Sequence, residues 1–327
     1  APTKAGTSKA HGEPLGAEEL AGAKKALDWN YGPFEIPDDV LKAWRSAGRK
    51  GKRLNKDWRA RLEAKPEAQR GEFTRRAIER KLPQNLDEVI RKLKDKLAAD
   101  PPTVATRKAS ELALDVLVPA VPELLLGSAD LTPSNNTRVK GQQDVQPGHY
   151  NGRYIHYGIR EMGMAAAMNG LTLHGGFRAA GGTFMCFTDY ARPAMRISAL
   201  AHVPVVYIMT HDSIGLGEDG PTHQPVEHLA SLRAMPNMRV FRPADAIETA
   251  ECWQLALERP KGPTVLALSR QNLTPVRKDA HADNRCAHGA YELIAASGEA
   301  KVSIFASGSE VEIAVAAQKQ LAERGIA

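Results

Sequence analysis

From Thr103 onward, short apolar segments alternate with longer segments of helical character. The apolar segments are Glu123–Leu126, Pro204–Met209, Arg239–Phe241 and Pro263–Leu268. The helical segments are Arg107–Val118, Glu161–Asn169, Tyr190–Ala201 and Ala244–Leu257. This order predicts an α/β fold, in which a mostly parallel sheet is covered by helices on both faces. In such sheets, ligands bind in the loops that follow the carboxyl ends of the strands.

The residues that precede this region have a different composition. Residues 1–100 contain 23 Lys and Arg against 16 Asp and Glu, whereas the whole chain has a net charge of +6. Residues 17–99 predict short amphipathic helices, one of which starts after Pro37. Because both signs of charge are mixed along them, these segments are typical of solvated helix faces, and nucleic-acid binding is not expected.

The C-terminal part begins with a polar stretch, Pro275–Asn284. After it, the pattern predicts a strand at Lys301–Ala306 and a helix that opens at Ser309. Ser309 and Glu312 have the spacing of a capping box, in which each side chain accepts a hydrogen bond from the backbone of the other.

Composition excludes several classes of protein. The chain is 43% hydrophobic and 25% charged, which is ordinary for a globular protein and unlike a disordered one. No stretch has 18 uninterrupted apolar residues, so no membrane span is expected. The three cysteines form no C-x-x-C pair, and their odd number argues against a disulfide framework. We therefore predict a reduced, cytoplasmic compartment.

Residues 210–225 form the densest group of chemically active side chains, including His211, Asp219 and His223. They follow an apolar segment, so they are expected at the carboxyl end of a strand. The spacing matches no common zinc pattern. Two interpretations stay open on these residues alone: a surface loop made rigid by its glycines, or polar groups that converge on a ligand rich in hydroxyls.

Two other segments carry candidate side chains. Glu161 opens an otherwise apolar helix, where a carboxylate could simply be stabilised by the helix dipole. Phe184, Phe187 and Tyr190 have a spacing of three residues, which is compatible with a core or with one wall of a site. Each signal is ambiguous when it is taken alone.

The order of these segments resembles the transketolase family. The segments that carry the resemblance are 6–16, 34–37, 105–110, 127–135, 157–161, 183–187, 210–225 and 268–273. The resemblance implies a thiamine-diphosphate-binding fold in three parts: 1–102, the end of the diphosphate-binding domain plus a helical connector; 103–275, the pyrimidine-binding domain; and 285–327, the start of the C-terminal domain. The family's Gly-Asp-Gly motif for metal and diphosphate is absent, so we expect a portion of a longer chain.

The resemblance also implies cofactors, namely thiamine diphosphate with Mg²⁺ or Ca²⁺. The cofactor-binding residues would be Glu161, Phe187, Phe184, Tyr190, Asp130 and His11. Glu161 would hydrogen-bond N1′ of the aminopyrimidine, Phe187 would stack on that ring, and Asp130 would lie at a subunit contact nearby. The metal ligands are expected upstream, and none is assigned in this sequence.

The substrate-binding residues implied by the resemblance are Arg107, Ser134, His211, Asp219, His223, Arg270 and His11. Arg107 and Arg270 would hold a phosphate, because their planar forks match its oxygens, and Ser134 and His211 would join them there. Asp219 would contact one substrate hydroxyl. His223 and His11 would hydrogen-bond the reacting oxygens and transfer protons, so Glu161, His223 and His11 form the predicted catalytic set.

The expected function is reversible transfer of a two-carbon ketol unit from a ketose phosphate, such as xylulose 5-phosphate, to an aldose phosphate, such as ribose 5-phosphate, in the pentose phosphate pathway. The resemblance implies a homodimer with active sites at the subunit interface, where His11 serves the site opposite its own Glu161. The alternatives are dihydroxyacetone synthase, deoxyxylulose-phosphate synthase, or a non-catalytic, transketolase-like chain that only dimerises or regulates. The presence of both His211 and His223 favours transketolase over the deoxyxylulose-phosphate enzyme.

Overall fold

The structure, a computed structural model, describes residues 1–327 as two compact units, Ala1–Gly71 and Glu72–Ala327. The helices that begin in the first unit are α1 (Lys9–Gly12), α2 (Ala17–Ala26), α3 (Asp38–Glu63) and α4 (Glu67–Phe73). None of them contains a buried residue, as expected for solvated faces.

Helix α3 has 26 residues, so the prediction that residues 17–99 form only short helices is wrong there. The helix begins directly after Pro37, as predicted. Between Pro37 and Pro66 no proline interrupts the chain, and Ala, Leu, Lys and Arg, which favour helices, predominate.

The second unit contains a six-stranded sheet in which every pairing is parallel, with the strand order β2-β1-β3-β4-β6-β5. The strands are β1 (Leu124–Ser128), β2 (Tyr154–His156), β3 (Arg178–Phe184), β4 (Val206–Thr210), β5 (Arg239–Phe241) and β6 (Thr264–Leu268). This confirms the predicted α/β class. In the register of the three central strands, Phe184, Thr210 and Leu268 lie level at the carboxyl edge.

Helices cover both faces of this sheet. The helices of this unit are α5 (Leu86–Ala99), α6 (Thr106–Ala120), α7 (Thr132–Asn135), α8 (Glu161–His174), α9 (Thr188–Leu200), α10 (His228–Arg233), α11 (Ala246–Glu258) and α12 (Glu310–Glu323). Helix α12, near the C-terminus, contains no buried residue. Alternate residues of β4 belong to two different apolar clusters. Val206 and Ile208 pack with α5, α6 and α11, whereas Tyr207 and Met209 pack with α8 and α9. This alternation is that of a strand buried on both faces.

Strands β2 and β3 were not predicted. The sequence of β3, Arg-Ala-Ala-Gly-Gly-Thr-Phe, contains few residues that favour strands. One of its glycines, Gly182, is required by packing, because a Cβ there would lie 2.7 Å from the Cγ2 of Thr137 and 3.2 Å from Asn135. Close approach of the neighbouring segment therefore explains the weak strand signal.

The predicted strand Lys301–Ala306 is not formed. Val302, Ile304 and Phe305 are exposed, with 88% of Phe305 accessible, and no strand of the described chain lies beside them. A strand needs a hydrogen-bonded neighbour, so the local sequence preference is not sufficient by itself.

Helix α12 does follow Ser309, but the predicted capping box is not formed. The Ser309 hydroxyl donates to Glu310 Oε1 at 2.7 Å and accepts from Arg242 Nη2 at 3.0 Å. Glu312 Oε2 accepts from the backbone N–H of Thr274 at 3.2 Å. Both side chains of the predicted capping box therefore form hydrogen bonds with other partners.

Candidate active site

The candidate site residues of the second unit follow the carboxyl ends of the parallel strands. Asp130 follows β1, Glu161 follows β2, Phe187 follows β3, His211 follows β4 and Arg270 follows β6. Because parallel strands all end at the same edge, the topology brings loops that are distant in sequence to one side of the sheet.

An aromatic wall is formed by Phe184, Phe187 and Tyr190. The rings of Phe184 and Phe187 are stacked, with centroids 5.8 Å apart and planes 9° apart, and Tyr190 lies 6.0 Å from Phe187. The ring of His211 is 3.6 Å from Phe184, and His223 packs edge-on against Phe184 and Phe187 at 5.8 and 5.5 Å. The three-residue spacing does not come from one helix, because Phe184 ends a strand and Phe187 lies in a 3₁₀ turn.

Glu161 is the first residue of α8, and only 8% of it is exposed. No hydrogen bond within the chain engages its carboxylate. Burial raises the pKa of the Cys186 thiol to about 11, and the nearby carboxylates of Asp189 and Glu161 add to this shift. Glu161 therefore lies near Cys186, the residue that precedes Phe187, and its carboxylate has no hydrogen-bond partner within the chain.

Two arginines are held close together by the start of α6. The backbone N–H of Thr106 donates to Ser269 Oγ at 2.9 Å, and the N–H of Ser269 donates to Thr106 Oγ1 at 2.7 Å. These bonds fix Arg107 beside Arg270, and Arg107 Nη1 donates to the backbone oxygen of Ser134 at 2.7 Å. Burial, followed by the charge of Arg270, lowers the pKa of Arg107.

Arg270 and Arg107 differ in their ion pairs. Arg270 pairs with the exposed carboxylate of Glu218, and its Nε lies 3.4 Å from Asp219 Oδ2. Arg107 forms no ion pair with a carboxylate. A half-buried arginine next to another arginine is an electrostatic environment that favours a doubly charged anion.

His211 is 2% exposed and has a left-handed backbone, with φ of 59°. Its Nδ1 lies 2.9 Å from Thr210 Oγ1, and its Nε2 lies 3.7 Å from Asp219 Oδ2. Burial, and then the positive charges of Arg107 and Arg270, lower the pKa of His211 to about 3. The ring is therefore neutral at physiological pH.

Three other predicted residues are placed differently. His11 lies on α1, is exposed, and belongs to the first unit. Asp130 is exposed after β1 with a left-handed backbone, φ 66°. Ser134 contributes its backbone oxygen to Arg107, and no contact of its hydroxyl is observed.

One group near the site was not predicted. His228 is buried at the start of α10, with its Nε2 3.3 Å from Asp189 Oδ1 and its Nδ1 3.9 Å from Glu227 Oε2. The contact with Asp189 links the start of α10 to residues 184–190, which carry the aromatic wall. No role was predicted for Glu218, Thr106 or Ser269, although all three lie within segments that carry the family resemblance.

Comparison with known proteins identifies the family of this chain. Residues 102–275 match the profile of the transketolase pyrimidine-binding domain, 1–83 that of the transketolase thiamine-diphosphate-binding domain, and 289–327 that of the transketolase-like C-terminal domain. The first match covers more than half of the sequence. The chain belongs to the transketolase family.

Individual relatives show the same likeness. A transketolase from Cereibacter sphaeroides is 55% identical over 327 residues, which are 100% of this chain and 49% of that protein. The structure of transketolase from Leishmania mexicana matches with a TM-score of 0.84 and 42% identity, covering 98% of this chain and 47% of that one. Transketolase from Pichia stipitis in complex with sedoheptulose-7-phosphate matches with a TM-score of 0.85 and 39% identity, covering 96% and 47%. The chain thus spans about half the length of the curated relatives it matches.

Proposed function

We propose that the protein carrying this sequence is a transketolase, which moves a two-carbon ketol unit reversibly from a ketose phosphate to an aldose phosphate. Within it, 103–275 serves as the pyrimidine-binding domain, 1–102 as the end of the diphosphate-binding domain with its connector, and 285–327 as the start of the C-terminal domain. The observation that supports this most strongly is Glu161, a residue only 8% exposed whose carboxylate has no hydrogen-bond partner within the chain, at the same sheet edge as the aromatic wall and a pair of arginines.

The residues present fit the aminopyrimidine half of thiamine diphosphate. A planar heteroaromatic ring offers a face that can pack on Phe187 and a ring nitrogen that can satisfy Glu161. Thiamine diphosphate, when bound, supplies the electron sink for breaking a carbon–carbon bond. Glu161 would hold a proton at N1′ of the pyrimidine and fix the orientation of the ring against Phe187, Phe184 and Tyr190.

The remaining side chains fit a phosphorylated sugar. Arg107 and Arg270 would bind the phosphate, with Ser134 at the edge of that position. His211 would join the two arginines at the phosphate, and the carboxylate of Asp219 can accept a hydrogen bond from one substrate hydroxyl group. His223, packed edge-on against the aromatic wall, would lie beside the reacting oxygens and move protons there.

The proposal extends to the assembly. Two copies would form a homodimer in which His11 of one subunit, and Asp130 near the contact, serve the site containing the other subunit's pyrimidine-binding domain. Mg²⁺ or Ca²⁺ would be held by residues outside this sequence together with the diphosphate. The protein would act in the cytoplasm, in the pentose phosphate pathway. No helix of the structure is both long enough and apolar enough to cross a membrane.

The test is an assay of the full-length protein with xylulose 5-phosphate and ribose 5-phosphate. We expect seven-carbon and three-carbon sugar phosphates to form only when thiamine diphosphate and a divalent cation are supplied. Light scattering of the same sample should give the mass of two subunits. A folded, cofactor-loaded protein that forms neither product would contradict the proposed activity.

A further inference from the structure

A buried histidine without a hydrogen bond lies beside two exposed carboxylates where α9 and α10 begin. His228 is 6% exposed, and neither of its ring nitrogens has a hydrogen-bond partner. Its Nε2 lies 3.3 Å from Asp189 Oδ1, and its Nδ1 lies 3.9 Å from Glu227 Oε2. A polar group that is buried without a partner is costly, so this arrangement favours a ligand that can satisfy the ring.

Ion pairing within the chain does not account for the arrangement. A protonated imidazole would direct one N–H at each carboxylate, and neither contact has the geometry of a hydrogen bond. No Lys or Arg forms an ion pair with Asp189 or Glu227. Arg192, which is one turn along α9 from Asp189, donates instead to Ser231 Oγ at 2.7 Å. Two negative charges therefore lie beside His228 with no Lys or Arg to balance them.

The three side chains have the spacing of a metal site. One ligand atom from each of Asp189, Glu227 and His228 lies within 4.8 Å of the other two. Two ligand atoms on a tetrahedral Zn²⁺ are separated by about 3.3 Å, which is the separation of His228 Nε2 and Asp189 Oδ1. The side chain of Glu227 is 72% exposed, so it is free to rotate its carboxylate toward the same point.

The donor set indicates the kind of ion. An imidazole nitrogen with two carboxylate oxygens suits Zn²⁺, with water as a fourth ligand, whereas Mg²⁺ and Ca²⁺ prefer oxygen ligands alone. Two helices begin here, and each places about half a positive charge at its start, which opposes a cation. The two full negative charges of the carboxylates outweigh that effect.

We propose that His228, Asp189 and Glu227 bind one Zn²⁺ ion, which ties the start of α10 to the start of α9. His228 Nε2 and Asp189 Oδ1 are the first two ligands, Glu227 is the third, and water completes the coordination. Because Asp189 directly precedes Tyr190, the bound ion would also fix one end of the aromatic wall. The site is made only of side chains of this chain, and it does not depend on the proposed function.

The test is titration calorimetry of Zn²⁺ into the full-length protein, after metal has been removed with a chelator and with Mg²⁺ in excess. The excess Mg²⁺ occupies sites made of oxygen ligands alone. We expect one Zn²⁺ per subunit that His228→Gln does not bind, and an affinity at least about tenfold lower in Asp189→Asn and in Glu227→Gln. His149→Gln, which replaces an exposed histidine, is the control and should bind Zn²⁺ as the unmodified protein does.

Two further readouts separate metal binding from an effect on folding. Asp189 and Glu227 are exposed, so their replacement leaves the core untouched, and circular dichroism checks the fold of His228→Gln. Zn²⁺ should raise the melting temperature of the unmodified protein more than that of any of the three variants, because the ion binds the folded form. X-ray absorption at the zinc edge should show an imidazole ligand that is lost in His228→Gln.

Several results would overturn the proposal. Equal Zn²⁺ affinities for the unmodified protein, Asp189→Asn and Glu227→Gln would exclude the two carboxylates as ligands. An absorption spectrum without imidazole, or displacement of Zn²⁺ by Mg²⁺ at equal concentration, would exclude His228. Absence of Zn²⁺ binding at millimolar concentration would mean that a protonated His228 simply pairs with the carboxylates. None of these measurements uses ketol transfer, so failure of the proposed function would leave their outcome unchanged.

Discussion

A buried group of charges ties α5 and α11 to the polar stretch after β6, and it allows a quantitative prediction. Glu251 is 0% exposed; its Oε1 lies 2.6 Å from Lys94 Nζ and its Oε2 lies 2.8 Å from Arg277 Nη1. Lys94 also donates to the backbone oxygens of His281 and Asp283, at 2.6 and 3.1 Å. One buried carboxylate therefore contacts two buried cations, of which Arg277 also lies 3.9 Å from the exposed carboxylate of Asp279.

The expected cost of replacing Glu251 with Gln follows from this imbalance. Gln has nearly the same volume, so little packing is lost, but two buried cations lose their nearest counter-charge. Breaking a buried ion pair in this way costs about 3–5 kcal/mol. At about 2–4 °C per kcal/mol for a unit of this size, the melting temperature should fall by about 6–20 °C.

The measurement is thermal unfolding of the full-length protein, followed by circular dichroism at one scan rate. Glu88→Gln on α5 is the matched control, because its pair with Lys92 is exposed at 2.6 Å and should contribute less than about 1 kcal/mol. Adding Lys94→Met to Glu251→Gln should recover part of the loss, since one uncompensated cation is removed.

The reasoning would be refuted if Glu251→Gln melted within the range of the Glu88→Gln control. It would also be refuted if Lys94→Met made Glu251→Gln less stable, because lost packing and not uncompensated charge would then dominate. Burial opposes ionisation of Glu251, but the hydrogen bonds from Arg277 and Lys94 outweigh it and hold its pKa below the usual value. Its contribution should therefore be present above about pH 4.3 and be lost as the pH falls further.

Three further predictions concern the site. Arg270→Ala should raise KM for phosphorylated sugars by about 10- to 100-fold, because a charged hydrogen bond to phosphate is lost, and should raise KM for unphosphorylated sugars much less. Arg91→Ala is the control. Equal effects on KM for both kinds of substrate would exclude phosphate binding by Arg270. Glu218→Gln should lower KM for phosphorylated sugars by up to about fivefold, since this carboxylate competes for Arg270; a raised KM would contradict competition. The low pKa of His211, about 3, means that its unfolded form takes up a proton first as the pH falls below about 6.5. The stability advantage of the unmodified protein over His211→Gln should thus shrink by about 2 kcal/mol between pH 7 and pH 5, and a constant difference in urea titrations would refute this.

The α/β class and four strands could be predicted because each of those strands is an apolar segment bounded by turn residues. Along 103–275, apolar strand segments alternate with helical segments, because the sheet lies between two layers of helices. The apolar character of such a segment can be seen in the sequence of that segment alone. Strand β3 could not be predicted in this way. Its Gly182 reflects the close approach of Asn135 and Thr137, a contact between residues about 45 positions apart that no local pattern records.

The site likewise contains residues that could be predicted from the sequence and residues that could not. Glu161, Phe187, His211 and Arg270 could be selected because they lie in segments that carry the family resemblance. The residues that place them depend on pairing between distant segments. Thr106 bonds to Ser269, and Thr210 to Asn135, only after the sheet has brought these segments together.

The C-terminal part was predicted least well. Lys301–Ala306 has the apolar pattern of a strand, and Ser309 with Glu312 has the pattern of a capping box. In the structure Lys301–Ala306 has no neighbouring strand. Ser309 and Glu312 form hydrogen bonds with Arg242 and with the backbone of Thr274, and not with each other's backbone. Both patterns describe local preference, and tertiary partners overrode it.

The role of Glu161 is tested by replacing it with Gln in the full-length protein and measuring ketol transfer at saturating thiamine diphosphate. Cofactor binding should be measured separately by titration calorimetry, and Glu67→Gln, at the start of an exposed helix, serves as the control. We predict that kcat falls by at least about 100-fold in Glu161→Gln, because proton exchange with the pyrimidine is lost, while Glu67→Gln is unchanged. A folded, cofactor-saturated Glu161→Gln protein with normal kcat would contradict the proposed site.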